Sequence, residues 1–169
     1  MTRSRDVATQ GGLVLISSTT VGSAVTSVTV NNAFSTTYDN YLILLNGIDT
    51  NNVNQFMTLK FNNSSGSTYN YFVSYGIFAG SLYASTAASS SAGIYCALSG
   101  TNNDTSNSMT IHNPFAGSYT TVSGTGATEN YGLFFGGNDK NAVSQTGFII
   151  TTTAGTMTGG TIKVYGYKK

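Results

Sequence analysis

The sequence predicts an all-β fold, and three features of its composition indicate it. Aromatic and β-branched residues, which favour strands, are plentiful, with 11 Tyr and 9 Phe among 169 residues. Asn, Ser and 20 Gly supply turn positions. Only 8% of residues are charged, against roughly 25% in an average soluble domain, so helix formers such as Glu, Lys and Arg are scarce. The length suits one domain that buries a core.

The run Tyr41 to Leu45 is the longest apolar stretch and predicts the central strand. It lies between Asp39-Asn40 and Asn46-Gly47, and it is too short for a buried helix. A strand that is apolar at successive positions has two apolar faces. We therefore expect this strand to be covered on both sides.

The strands of the first half follow from apolar runs and alternation. Residues 13–16 begin the first strand, and residues 24–30 and 55–61 alternate between apolar and polar side chains. Residues 69–75 form an aromatic strand that places Tyr69, Tyr71 and Tyr75 on one face. The small residues 85–91 are expected to form a surface loop.

The second half gives a similar rhythm. Strands are predicted at 94–98, 109–112, 118–122, 130–135, 148–152 and near the end of the chain. In the last strand Ile162 and Val164 face one way, and Lys163, Tyr165 and Tyr167 face the other. The glycines at 124, 126, 136 and 137 are interpreted as turn residues.

About ten strands at spacings near a dozen residues predict an antiparallel β-sandwich, with a jelly roll as the favoured topology. Residues 13–169 form this domain. Residues 1–12 hold a dense group of charges, Arg3, Arg5 and Asp6, and are expected to form an N-terminal arm that anchors on a partner chain. The alternative for this segment is a frayed terminus.

Residues for catalysis or metal binding are sparse. His112 is the single histidine and Cys96 the single cysteine, too few for a typical zinc site, and neither belongs to a nucleophile motif. Most of the six acids lie in Asn- or Gly-rich turns, where Asp caps its own backbone. Residues 49–52 and 102–104 are weak candidates for calcium. We therefore expect no enzyme activity, metal or cofactor.

The net charge of +1 disfavours a nucleic-acid groove, which needs a basic patch. No segment approaches the roughly 20 apolar residues of a membrane helix, and no signal peptide is evident. These features predict a protein made in a cytoplasm that binds neither nucleic acid nor membrane.

Tyrosines are the candidate contact residues. An outer-face ladder of Tyr69, Tyr71 and Tyr75, with Tyr165 and Tyr167, would suit a protein interface or stacking against a glycan, because each has an apolar ring and a polar tip. The alternative is that these rings cover the core of a protein that lacks Trp.

The chain also resembles a known family. Residues 158–167 read Thr-Gly-Gly-Thr-Ile-Lys-Val-Tyr-Gly-Tyr, which is similar to the closing strand of small β proteins from virions of tailed bacteriophages, including cyanophages. Further matches are Gly12–Ile16, Val28–Val30, Phe34-Ser35 and Tyr38–Tyr41. Arg5–Ala8 resembles the start of tail-fibre-like chains, whereas residues 62–108 match in composition alone.

This resemblance implies a non-enzymatic, jelly-roll-like and homotrimeric virion protein. A short chain without a shaft favours a capsid decoration or cement protein, whose arm binds the major capsid protein. A tail-fibre or receptor-binding module that recognises host surface glycans is the alternative. A free-standing lectin ranks third and an enzyme last.

Overall fold

The computed structural model describes residues 12–52, 55–80, 83–99 and 105–169. Arg3, Arg5 and Asp6, predicted to anchor the chain to a partner, lie outside the described residues. Residues 102–104, one of the two weak calcium candidates, lie outside them as well.

The described residues form fourteen β-strands and no helix. The first seven are β1 (Leu13–Thr20), β2 (Ser27–Val30), β3 (Asn40–Asn46), β4 (Asp49–Thr50), β5 (Phe56–Phe61), β6 (Tyr69–Ile77) and β7 (Tyr83–Ser91). The others are β8 (Ile94–Leu98), β9 (Ser106–His112), β10 (Thr120–Ala127), β11 (Tyr131–Asp139), β12 (Phe148–Thr152), β13 (Met157–Thr158) and β14 (Thr161–Tyr167).

Two antiparallel sheets make up most of the molecule. The larger has eight strands in the order β1-β14-β3-β9-β10-β11-β6-β7, and the smaller has four in the order β2-β12-β5-β8. Strands β4 and β13 form a short separate pair. The prediction of an all-β sandwich is confirmed; the strand order is compatible with a jelly roll, which stays a prediction.

The core lies between the two sheets and uses one face of each. On β3 the side chains of Tyr41, Ile43 and Leu45 are fully buried, and on β14 Ile162 and Val164 are as well. The small sheet contributes Leu59, Phe61, Phe148 and Ile150, among others. Strand side chains alternate between the two faces, and no strand in the described part of the chain covers the opposite face of the large sheet.

Strand β3 is therefore covered on one side alone. Its inward residues are fully buried, but Leu42 and Leu44 are only half-buried on the other face. The prediction that this strand is covered on both faces is wrong for the described ranges of the chain. The reason is that the small sheet lies on one side of the large sheet.

Two further predictions are corrected by the large sheet. The small residues predicted as a loop belong to β7, an edge strand that pairs with β6 from Tyr69 to Gly76. The glycines predicted as turns lie inside β10 and β11. At Gly124 a Cβ atom would lie 2.4 Å from the Phe135 ring and 2.5 Å from the carbonyl oxygen of Ser108. Glycine stands there because neighbouring atoms occupy that space.

Candidate interaction surface

The outer face of the large sheet, the side that points away from the small sheet, holds most of the exposed large apolar side chains. Eight such side chains are exposed in the described residues: Leu13, Leu15, Phe72, Phe78, Tyr83, Tyr119, Phe134 and Tyr167. All except Phe78 and Tyr119 occupy outward positions on strands of this sheet, and those two adjoin the ends of β6 and β10. The clustering is unusual because scattered apolar residues are the norm on a soluble surface.

One group of these residues runs across β1, β14 and β3. Leu15 lies opposite Tyr165, and Tyr165 lies opposite Leu42 on the next strand. We call this group the leucine–tyrosine ridge, and its members are Leu13, Leu15, Leu42, Leu44, Tyr165 and Tyr167. The predicted outward orientation of Tyr165 and Tyr167 is confirmed by their alternation with buried Val164 and Gly166.

A second group lies on β11, β6 and β7. The rings of Phe72 and Phe134 are 5.6 Å apart between centroids, and both side chains are more than two-fifths exposed. Tyr83 pairs across from Gly76, and its hydroxyl oxygen accepts a hydrogen bond from Ser74. We call Phe72, Phe134 and Tyr83 the aromatic ridge.

Between the ridges, β9 and β10 carry small hydroxyl side chains. Thr110 lies opposite Ser123, and Ser108 lies opposite Thr125. Small residues between larger ones leave a depression, which we call the trough. It holds two open concavities of about 330 Å³ and 380 Å³, the first bordered by Leu42 and Phe134 and the second by Leu44.

The outer face carries almost no charge. At the outward positions of its eight described strands, Lys163 is the single residue with a permanently charged side chain. His112 lies outward on β9, where its Nδ1 is 3.1 Å from Oδ1 of Asn40. The face therefore combines two apolar ridges with a neutral hydroxyl floor.

The location predicted for the tyrosine ladder is corrected. Tyr69 and Tyr71 face the core and are buried, and Tyr75 is half-buried beside Phe56, with ring centroids 5.4 Å apart. Tyr71 stacks on Tyr95 at 4.7 Å. Burial raises the pKa of both Tyr69 and Tyr71 to about 12. Both rings therefore cover the core, as the alternative interpretation held. The period-two pattern shows that Tyr69 and Tyr71 share a face, but it does not show on which side of the sheet that face lies.

Other titratable residues singled out by the sequence lie in structural settings. The Cys96 thiol is fully buried, and burial raises its pKa. Asp49 lies in β4 and not in the predicted turn, and its side chain accepts a hydrogen bond from the backbone N–H of Thr50 at 2.9 Å. No group of three or more His, Cys, Asp or Glu side chains that could hold a metal ion occurs within the described ranges. In the described part of the chain there is no helix long and apolar enough to cross a membrane.

The sequence did not predict the aromatic ridge, the leucines of the leucine–tyrosine ridge as contact residues, or the trough. A signal was present: Phe72 stands between Tyr71 and Val73, and Phe134 stands between Leu133 and Phe135. Apolar residues at consecutive strand positions place apolar groups on both faces. The same pattern in residues 41–45 places Leu42 and Leu44 on the outer face.

Comparisons of the chain with protein-family models, curated proteins and solved structures found no match. The resemblance to phage virion proteins therefore rests on the quoted residues and stays a prediction.

Proposed function

We propose that the protein is a non-enzymatic structural component of the surface of a tailed-phage virion, and specifically a capsid decoration or cement protein. The properties of the outer face of the large sheet are the observation that supports a role in assembly. This face is neutral, has two apolar ridges and lacks a covering layer among the residues that the structure describes. Within a virion, neighbouring chains would supply that layer.

The energetics of β3 favour this role. Leu42 and Leu44 leave apolar area in contact with water, and removing such area from water is worth about 25 cal/mol per Å². Charged side chains, which commonly protect exposed sheet surfaces, are nearly missing from this face. A surface of this kind is typical of the buried centre of an interface, where charged residues are depleted and aromatic residues enriched.

The virion location is supported by the family resemblance, whose motifs cover the first half of β1, most of β2, the start of β3 and all of β14. In the proposed arrangement residues 1–12, including Arg3, Arg5 and Asp6, anchor the chain to the major capsid protein. The homotrimer implied by the resemblance stays a prediction.

Immunogold labelling of intact phage particles, with an antibody against this chain, tests the proposal. Label distributed over the head is the expected result. Label at the tail end would replace the decoration role with a fibre role, and particles without label would overturn a virion location. A chain with residues 1–12 deleted should fold but fail to bind capsids.

A receptor-binding module that recognises host glycans is the second candidate, and the trough favours it. Its floor offers the hydroxyls of Ser108, Thr110, Ser123 and Thr125, and Phe134 borders it with an exposed ring. Hydroxyl groups beside an aromatic ring can hydrogen-bond and stack on a sugar. Binding of the purified protein to a glycan array, lost in Phe134→Ala and kept in Tyr119→Ala, would support this candidate. No binding would count against it.

A further inference from the structure

We infer that the outer face of the large sheet binds the outer face of a second copy of this chain, with the aromatic ridge of each copy in the trough of the other. This inference deepens the proposed assembly role and rests on it. It names both the partner and the parts of the surface that meet.

Shape is the first reason for a second copy. The aromatic ridge and the trough lie side by side on one sheet face, since β11 carries Phe134 and is the direct neighbour of β10. When two such faces meet across a two-fold axis, the ridge of each copy can enter the trough of the other. A two-fold contact uses the same patch on both copies, so one protruding and one recessed feature are sufficient.

The area of the face is the second reason. Eight strands about 4.8 Å apart, each rising about 3.3 Å per residue over roughly eight residues, cover about 38 by 26 Å, or roughly 1,000 Å². A stable interface of standard size buries about 800 Å² on each partner. The face therefore has the extent that a specific dimer needs, without contributions from other surfaces.

Charge is the third reason. Lys163 is the single permanently charged side chain at outward positions on the described strands of this sheet, and it lies on β14, away from the aromatic ridge and the trough. A partner rich in acidic or basic residues would find few groups to pair with. A second copy brings an equally neutral face, so no row of like charges opposes contact.

Analytical ultracentrifugation of the purified full chain tests the inference. The wild-type protein should form a dimer, and Phe134→Ser should weaken association at least about tenfold, as expected for a central aromatic contact. Ser123→Arg should do the same by filling the trough. Tyr119→Ser is the matched control, because Tyr119 is 57% exposed yet precedes β10 beyond both the ridge and the trough. Urea unfolding of each variant verifies that it is folded.

Mixing the two variants distinguishes ridge-in-trough contact from a general loss of apolar area. Phe134→Ser changes one border of the trough but keeps its hydroxyl floor open, and Ser123→Arg keeps its ridge, so a mixed dimer retains one of the two contacts. The mixed dimer should therefore be more stable than the dimer of either variant alone. Equal or weaker association in the mixture would overturn the ridge-in-trough arrangement.

The remaining outcomes also decide the inference. A wild-type chain that stays monomeric at its highest soluble concentration, or a trimer that tolerates both substitutions, would overturn it. A monomer that loses capsid binding on Phe134→Ser would assign the face to the capsid instead. These results concern purified protein, so they can fail while immunogold labelling still finds the chain on the virion head.

Discussion

Tyr69 shows how a single polar atom is accommodated in this core. Its side chain is fully buried, but its hydroxyl oxygen accepts a hydrogen bond from the backbone N–H of Phe61 at 2.8 Å. The bond joins β5 of the small sheet to β6 of the large sheet. Burial disfavours the charged phenolate and raises the pKa of Tyr69 to about 12, from an ordinary value of about 10.

This shift predicts a loss of stability at high pH. A pKa that is higher in the folded state means that the contribution of Tyr69 is complete below about pH 10 and is lost between about pH 10 and 12. Urea unfolding at pH 8 and pH 11 should show a smaller decrease in the free energy of unfolding for Tyr69→Phe than for wild type. Tyr167→Phe, at a more exposed tyrosine of β14, is the control. An equal decrease in both variants would contradict the prediction.

At the scale of residues, two predictions differ in reliability. The sequence predicted reliably which side chains share a face of a strand, but not whether that face points to the core or to solvent. The alternation in β14 gave the orientation of Ile162 and Tyr165 correctly. The same rule grouped Tyr69 with Tyr71 but placed them outside. The missing information is the position of the other sheet, which depends on contacts far apart in the sequence.

Asp139, at the end of β11, connects the loops at one end of the sandwich through hydrogen bonds. Its fully buried carboxylate accepts hydrogen bonds from the hydroxyl of Thr68 at 2.6 Å, the backbone of Asn141 at 3.0 Å and Nε2 of Gln145 at 3.2 Å. The bond to Asn141 is the local cap expected of a turn aspartate. The bonds to Thr68 and Gln145 join residues 62–68 to residues 140–147.

Loss of this carboxylate should cost much more than loss of an exposed one. Asp139→Ala leaves the fully buried Gln145 amide without its acceptor, at about 1–3 kcal/mol, and it removes one of the two hydrogen-bond partners of the half-buried Thr68 hydroxyl, the other being Ser64 at 2.9 Å. We expect the free energy of unfolding to fall by about 2–5 kcal/mol in urea titrations. Asp39→Ala is the control, since Asp39 pairs with Lys169 at 2.8 Å on the surface and such pairs are worth about 0–1 kcal/mol. Similar losses in the two variants would be inconsistent with the Asp139 network.

At the scale of elements, strands with strong alternation were predictable and strands of small residues were not. β5 and β14 alternate clearly, and both were found from sequence. β7 consists mostly of Ala, Ser and Thr, so its composition resembles a loop, and pairing with β6 decides its conformation. Most of β10 was not predictable for a similar reason, because Gly124 and Gly126 resemble turn residues. The side chains that occupy the space beside these glycines are Phe135 of β11 and Asn107 of β9.

The neutral outer face makes a prediction about the whole molecule. Attraction between charges weakens as salt shortens the Debye length from about 10 Å at 0.1 M to about 3 Å at 1 M. A dimer held by apolar ridges should change its Kd by less than about threefold over that range of NaCl, and sodium sulfate should strengthen it. Sedimentation equilibrium at several salt concentrations measures this. A large loss of association in NaCl would point to ion pairs instead and would contradict the proposed contact.

The order of strands also governs when the chain can fold during synthesis. β14 lies between β1 and β3, and β12 lies between β2 and β5, so early strands have partners near the far end of the sequence. Until residues 161–167 leave the ribosome, β1 has no neighbour in its sheet and its apolar residues remain available to other chains. Long-range pairing of this kind makes folding slow, on the order of milliseconds to seconds. Production of the protein therefore depends on how well the unfolded chain is protected from aggregation until residues 161–167 have been made.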